Sequence, residues 1–396
     1  MIRFNQDRTC VAVTRGNRDD AVDANLSSMS VIYHCNPFDI SWKSDEPAAL
    51  IEQLFSTSLV AIVPLEDHNK VRIINTKKNK TICELPFAES VNDVRMNRKR
   101  LVILLQTTLQ IYDVSSIKLL KKIKTTGRIC DLSVGDESIL VYQREATAAE
   151  GRNESYNEAG DVIAYDTINL TPISLIRCHL AAVTNLAMNS NGNILATSSS
   201  KGTLIRIFDT RSGIRLCEFR RGSLPTIITS LALDLDCLNV ACVSLTGSVH
   251  IFQLPESVTE LSSISSSVSQ LLPSASISDK LPLSGNILTD LPQTEPITDA
   301  ESDELHRLLS NVSQSSFTNK LWNSSKQYIS LPKSATPTLK QPHTIIRLPY
   351  NGKLCEISFG VNLLWVATPT CLYEYTFFPT GTRKPIFQAS HQFSTL

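Results

Sequence analysis

The sequence has no excess of charge of either sign: 38 lysines and arginines stand against 38 aspartates and glutamates. A dedicated nucleic-acid binder draws its affinity from surplus basic residues, so that class is disfavoured, although a local basic pocket is not. No apolar run approaches the ~18 residues a spanning helix requires. The opening MIRFNQDRT also lacks the apolar stretch of a secretory signal, so any membrane contact is expected to be peripheral. The ten cysteines include no C-x-x-C pair, which removes support for a zinc ribbon or a thioredoxin-like site. Most sit among strand-type residues, as small buried hydrophobes of a reduced, cytosolic protein would. A G-x-S-x-G elbow and an H-E-x-x-H pair are missing, and the histidines show no metal-ligand spacing. No catalytic residue, cofactor or metal is therefore expected.

What is present is a repeat of period-two segments. LVAIV (59–63), LVILLQ (101–106), TLIRIFD (203–209) and LLWVAT (363–368) are rich in β-branched and aromatic residues and are punctuated by Gly, Asn, Asp or Ser. Aligned, they share a strand that ends in a large apolar residue: Tyr33, Ile74, Tyr112, Tyr165, Phe208, Phe252 and Tyr375. Three of these ends continue with aspartate (Asp113, Asp166, Asp209), and a turn-prone stretch and another short strand follow. A unit of this kind repeating roughly every 40 residues is the pattern of four-stranded propeller blades. Seven phased instances predict an all-β, seven-bladed β-propeller of the WD-repeat type rather than a many-stranded β-sandwich.

The interval from Phe252 to Tyr375 is far longer than the others, so blade six carries an insertion. The expected organisation is one propeller over 1–254 and 342–396, with 255–341 a mostly disordered, membrane-facing loop. That loop is rich in Ser, Leu, Thr and Pro, a composition that cannot offset the entropy cost of ordering. Within it Leu305, Leu308, Leu309, Val312, Phe317, Leu321, Trp322 and Tyr328 fall partly at helical intervals beside Lys320 and Lys326. The mixture suits a helix lying in a membrane interface, or a linker that packs nowhere.

The segment LCEFRRGSLP (216–225) leaves a strand with two adjacent arginines and a glycine. Neighbouring side chains of an extended chain point to opposite faces, so Arg220 and Arg221 are expected to serve two pockets rather than one. Gly222 is read as permitting the sharp departure that keeps both at the rim. Each guanidinium offers a rigid fork of donors suited to phosphate, although two solvated arginines at a strand end are also common.

HLAAVTNLAMNSNGNILATSSSKGTLIRIFDTRSGIRLCEFRRG (179–222), followed by VACVSLTGSVHIFQL (240–254), closely resembles the PROPPIN family, the phosphoinositide-binding WD-repeat propellers of autophagy. The resemblance extends to the earlier blades and to TIIRLPYNGKLCEISF, and is densest around Phe219-Arg220-Arg221-Gly222. It implies two headgroup pockets for phosphatidylinositol 3-phosphate and phosphatidylinositol 3,5-bisphosphate. The first would use His179, Ser199, Thr203, Arg206 and Arg220; the second would use Arg221, Ser244, Thr246, Ser248 and His250. Arginines that neutralise phosphate, with hydroxyls and imidazoles that hydrogen-bond its oxygens, fit that chemistry. It further implies a long blade-six loop that enters the bilayer, here with Phe317, Leu321, Trp322 and Tyr328, and a cytoplasmic chain recruited to pre-autophagosomal and endosomal or vacuolar membranes.

Arg98 and Arg100, with Lys121, Lys122 and Lys124, concentrate positive charge across the second and third blades. They form either a solvated rim or a docking groove for an acidic partner. The resemblance implies autophagy proteins as partners, either a conjugation scaffold or a lipid-transfer protein. Two other functions compete: a propeller that only holds proteins together, which leaves the arginine pair unexplained, and a propeller hydrolase, which lacks a motif.

Overall fold

Some segments are buried at every position, and this decides the architecture. Ile194–Ser199 is one and Asn239–Ser244 another. An ordinary antiparallel sheet leaves one face to water; burying both faces requires a neighbouring sheet on each side. The computed structural model describes residues 1–14, 30–144, 160–269, 344–350, 352–379 and 384–393. Across them the chain forms seven four-stranded antiparallel sheets, each built from strands consecutive in sequence. The expected seven-bladed propeller is the observed fold. Blade one starts at Ile2, blade five spans Val183–Arg220, blade six Ile228–Arg347 and blade seven Glu356–Gln392. In blade six the third strand, Ser248–Gln253, pairs with a fourth strand, Thr344–Arg347, far along the chain.

Period-two alternation sends successive side chains to opposite neighbours. In blade five Ile194, Ala196, Ile205, Ile207 and Phe219 pack with blade six around Phe252. Leu195 and Phe208 turn the other way, onto Val141, Val162 and Ile176 of blade four. None of the ten cysteines is in a disulfide, and burial raises the thiols of Cys35, Cys130 and Cys178.

Closure is made by side chains, because blades one and seven are each cut from one continuous stretch. Val11, Val13, Tyr33 and Cys35 of blade one pack against Trp365, Ala367, Leu372 and Phe393 of blade seven. Phe4 stacks on Trp365 at 6.3 Å, and Tyr33 meets Phe393 at 4.9 Å. Gly360 allows the indole to lie where it does: a Cβ there would fall 2.5 Å from the Trp365 ring. Arg8 adds a polar tie, donating to the Phe359 carbonyl (3.1 Å) of blade seven and the Leu233 carbonyl (2.8 Å) of blade six.

The innermost strands carry a charge network. Arg3 meets Asp93 at 2.6 Å and Glu52 at 3.1 Å, while Arg95 meets Asp93 at 3.1 Å and Asp131 at 3.8 Å. These pairs join blades one to four. The five residues from Arg3 to Asp131 come from four blades, and only the ring unites them.

The insertion begins as a helix, Glu256–Ser269, which amends the expectation of irregular chain from 255. Val258 is buried in the interface of blades five and six, Thr259 donates to the Cys237 carbonyl (3.2 Å), and Asn193 donates to the Leu261 carbonyl (2.7 Å). Among the described residues no helix is long and apolar enough to cross a membrane.

Since blades seven and one meet through side chains among the described residues, Trp365→Ala should destabilise the fold by about 3–5 kcal/mol, the range for a buried aromatic. Urea unfolding should show a lower midpoint at unchanged slope; an unshifted midpoint would mean that closure does not rest on this contact.

Candidate functional site

The residues of both candidate pockets lie at one end of the ring. There second strands turn into third strands, and each outer strand hands the chain to the next blade. In blade five the register sets Thr197 opposite Arg206, and Arg206 opposite Glu218. Opposed residues share a face and alternate residues return to it, so Leu204 and Arg220 continue that face while Phe219 turns inward. The buried His179, in the connection from blade four, has Nε2 2.9 Å from Thr197 Oγ1. Arg206 donates from Nε to Glu218 (2.5 Å) and from Nη1 to the Cys178 carbonyl (2.7 Å). Burial first, then the Arg206 charge, pushes the His179 imidazole down to about 3. Arg220 is exposed, and its guanidinium has no hydrogen bond or ion pair among the described residues. Ser199 is buried at the end of the second strand, and the carbonyl of Thr203 accepts from the Arg221 amide (2.9 Å).

Arg221 belongs to the other face. Its Nε donates to the Gly202 carbonyl (2.7 Å) and its Nη2 to the Leu224 carbonyl (2.5 Å), which leaves Nη1 uncommitted. Beside it, in blade six, the hydroxyls of Ser244, Thr246 and Ser248 form a triangle with edges of 2.9, 2.9 and 3.0 Å. Each hydroxyl can turn its proton outward to an anion, because its oxygen still accepts from a neighbour. His250 shares the face of Ser248, and its Nδ1 is buried without a hydrogen-bond partner. Burial lowers this imidazole to about 4, aided by the charges of Arg221 and Arg347.

Two residues here escaped the sequence reading. Glu218 neutralises Arg206 and also meets Arg215 (3.3 Å), so an anion in the first pocket must compete with a carboxylate. Its place two residues before Arg220 was the available signal. Arg347 pairs with Ser248 across the sheet, is exposed, and has no partner among the described residues. The long insertion separates it from the other pocket residues, although TIIR was legible as a strand.

The role assigned to Gly222 is corrected. Nothing lies within 4 Å of a Cβ built on it, whereas Gly202 has φ +57° and a Cβ there would fall 1.8 Å from the Thr226 carbonyl oxygen. Gly202 is therefore the position that needs glycine: it lets the five–six connection lie on the blade-five turn, with its own carbonyl free for Arg221.

The basic residues proposed as a partner groove are not brought to one place. Arg98 lies over the Phe55 ring of blade two at 4.4 Å. Arg100 turns toward blade four, donating to the Thr167 carbonyl (2.8 Å) and meeting Asp113 at 3.3 Å. Lys121, Lys122 and Lys124 lie along the outer strand Leu119–Lys124, which runs away from Arg98 to the opposite end. Phe317, Leu321, Trp322 and Tyr328 lie outside the described residues.

A ring of seven blades with arginine, hydroxyl and imidazole groups gathered at one end defines a seven-bladed β-propeller with a candidate anion site. The chain belongs to the PROPPIN family, whose model matches residues 1–274. It is 34% identical to autophagy-related protein 21 of Pichia angusta over 370 residues, covering 88% of each chain. It is 38% identical to autophagy-related protein 18 of Yarrowia lipolytica over 280 residues, covering 65% of this chain and 67% of that one. Among solved structures, KlAtg21 in complex with the coiled coil of AgAtg16 matches with a TM-score of 0.68 at 24% identity, covering 100% of this chain and 99% of that one. Kluyveromyces lactis Hsv2 matches with a TM-score of 0.63 at 18% identity, covering 100% and 98%. The protein is thus an autophagy β-propeller.

Both imidazoles titrate lower when folded than the usual 6.5. Their neutral forms contribute stability that is present above pH 6.5 and lost as pH falls through about 4 for His250 and about 3 for His179. Arg221→Met or Arg347→Met should raise the His250 value, read by an NMR titration of its ring protons. No movement in either variant would leave burial as the sole cause.

Proposed function

We propose that the chain is a peripheral membrane scaffold of autophagosome formation without catalytic activity. It grips phosphatidylinositol 3-phosphate and phosphatidylinositol 3,5-bisphosphate in two pockets flanking Phe219–Gly222. His179, Ser199, Thr203, Arg206 and Arg220 serve the first, and Arg221, Ser244, Thr246, Ser248 and His250 the second, with Arg347 added to it. The observation that carries this reading is the division of the arginine pair. The free guanidinium of Arg220 extends the face of Arg206, while Arg221 sits beside the hydroxyl triangle and the open Nδ1 of His250. Charge-assisted hydrogen bonds from such donors suit phosphate. Two modest sites on one rigid ring act together through high effective concentration, and the inserted segment in blade six adds membrane contact.

Vesicles containing either 3-phosphorylated lipid should carry the parent chain upward in flotation. Arg220→Ala/Arg221→Ala should stay at the bottom, and each single change should fall between. Equal flotation of the double variant would sink the lipid reading.

A second surface is proposed for a protein partner. Arg98 is an exposed cation held over Phe55, whereas Lys99 and Arg100 already meet Asp136 and Asp113. An acidic segment of a conjugation scaffold, such as a coiled coil, or of a lipid-transfer protein, would meet its strongest field at Arg98. Arg98→Glu should abolish capture of an acidic coiled coil and Arg100→Ala should weaken it far less, with flotation unchanged in both. The reverse order would place the docking point on blade four's side.

A further inference from the structure

The end of the ring that holds the two pockets also carries large apolar side chains in water. Leu180 in the four–five connection is 71% exposed, Leu224 and Ile227 in the five–six connection 77% and 53%, Leu245 in the blade-six turn 37%, and Leu354 in the six–seven connection 52%. Backbone hydrogen bonds join these loops into one arc. Ser200 donates to Ala182 (2.9 Å), Thr226 to Lys201 (3.2 Å), Leu245 to Ile227 (2.8 Å) and Leu348 to Gly247 (2.8 Å). The apolar groups therefore stand on a continuous rigid rim rather than on independent loops, and the Leu224 carbonyl is itself fixed by Arg221.

The charge of the arc is one-sided. The stretches 179–183, 199–204, 220–228, 244–248 and 347–355 contain no aspartate or glutamate, yet they include the exposed cations Lys201, Arg220 and Arg347. At the opposite end of blades five and six stand Asp209, Asp234, Asp236 and Glu256. Exposed leucines interleaved with cations and free of acids match the surface of an anionic bilayer: the cations meet headgroup charge and the apolar groups enter the boundary with the acyl chains. An acidic protein groove would be met by the cations alone and would leave the leucines unused.

We infer that this rim is itself a bilayer-inserting surface, in which Leu180, Leu224, Ile227, Leu245 and Leu354 enter the membrane around the headgroup pockets, independently of the long insertion. The inference rests on the proposed lipid binding and deepens it. A variant with Leu224→Ser, Ile227→Ser and Leu354→Asn changes only exposed side chains, and asparagine tolerates the positive φ of Leu354. Two ligands separate the rim from the pockets: soluble inositol 1,3-bisphosphate followed by calorimetry, and vesicles of phosphatidylcholine, phosphatidylserine and phosphatidylinositol 3-phosphate followed by flotation. The variant should bind the soluble headgroup as the parent does, within about twofold, and lose at least about tenfold in vesicle affinity, a modest share of what burying three such side chains supplies. Unchanged vesicle affinity with intact headgroup binding overturns the rim. A parent chain that binds neither ligand overturns the pocket reading, and the rim with it.

Discussion

Closure of the ring without a shared strand is the constraint on which the rest depends. Blade one and blade seven are separate continuous pieces, and among the described residues no ladder of backbone hydrogen bonds crosses their boundary. What holds it is apolar packing: Tyr33 and Phe4 against Phe393 and Trp365, with Gly360 clearing space for the indole. Arg8 supplements this packing from the first turn of the chain, reaching two blades at once. Every blade must therefore offer apolar residues on both faces, and the polar groups that could serve a ligand are driven to the strand ends and the connections. A propeller's chemistry collects at its ends because its faces are already occupied.

That displacement explains the geometry around Phe219. The same alternation that buries Phe219 against Phe252 of blade six, at 5.0 Å, turns the residues on either side toward blade four. Glu218 and Arg220 share that outward face, and Arg221 returns to the side of blade six. The aromatic between blades thus acts as a pin that fixes which way each arginine points. The phosphate-suited groups are positioned by core packing and need little order of their own. Arg221 is held further by two carbonyls from the chain around it, so a ligand meets it with little rotamer freedom left to lose.

Much of this was legible in the residues. The large apolar ends from Tyr33 to Tyr375 marked the third strands, because a strand buried on both faces has no room for polar residues there. Alternation alone separated Arg220 from Arg221. What could not be read were the contacts made by closing the ring. Arg3, Glu52, Asp93 and Asp131 are ordinary surface types in sequence and become partners only when the inner strands converge. Gly222 adjoins the arginines, but the constraint falls on Gly202 and comes from the Thr226 carbonyl, on a connection whose path no local pattern specifies. Arg98 and Arg100, two apart, looked like one patch. Arg98 lies in the turn and Arg100 opens the next strand, so alternation does not relate them, and they diverge toward different blades.

The two pockets are not equivalent, and the difference follows from one carboxylate. Glu218 shares the face of Arg206 and Arg220, so the first pocket presents two guanidiniums with an acid already bound to one of them. The second presents Arg221 and Arg347, both of which act on His250, and no Asp or Glu stands in the turn or connections that form it. An anion entering the first pocket must displace or share the Glu218 contact, which weakens the field it meets; an anion in the second meets two uncompensated cations and a ring of hydroxyls. On the proposed reading the second pocket is the better host for a doubly phosphorylated headgroup, since added negative charge meets no opposing acid there. The first is better suited to a single phosphate held by Arg220, the one guanidinium in that pocket that Glu218 leaves free.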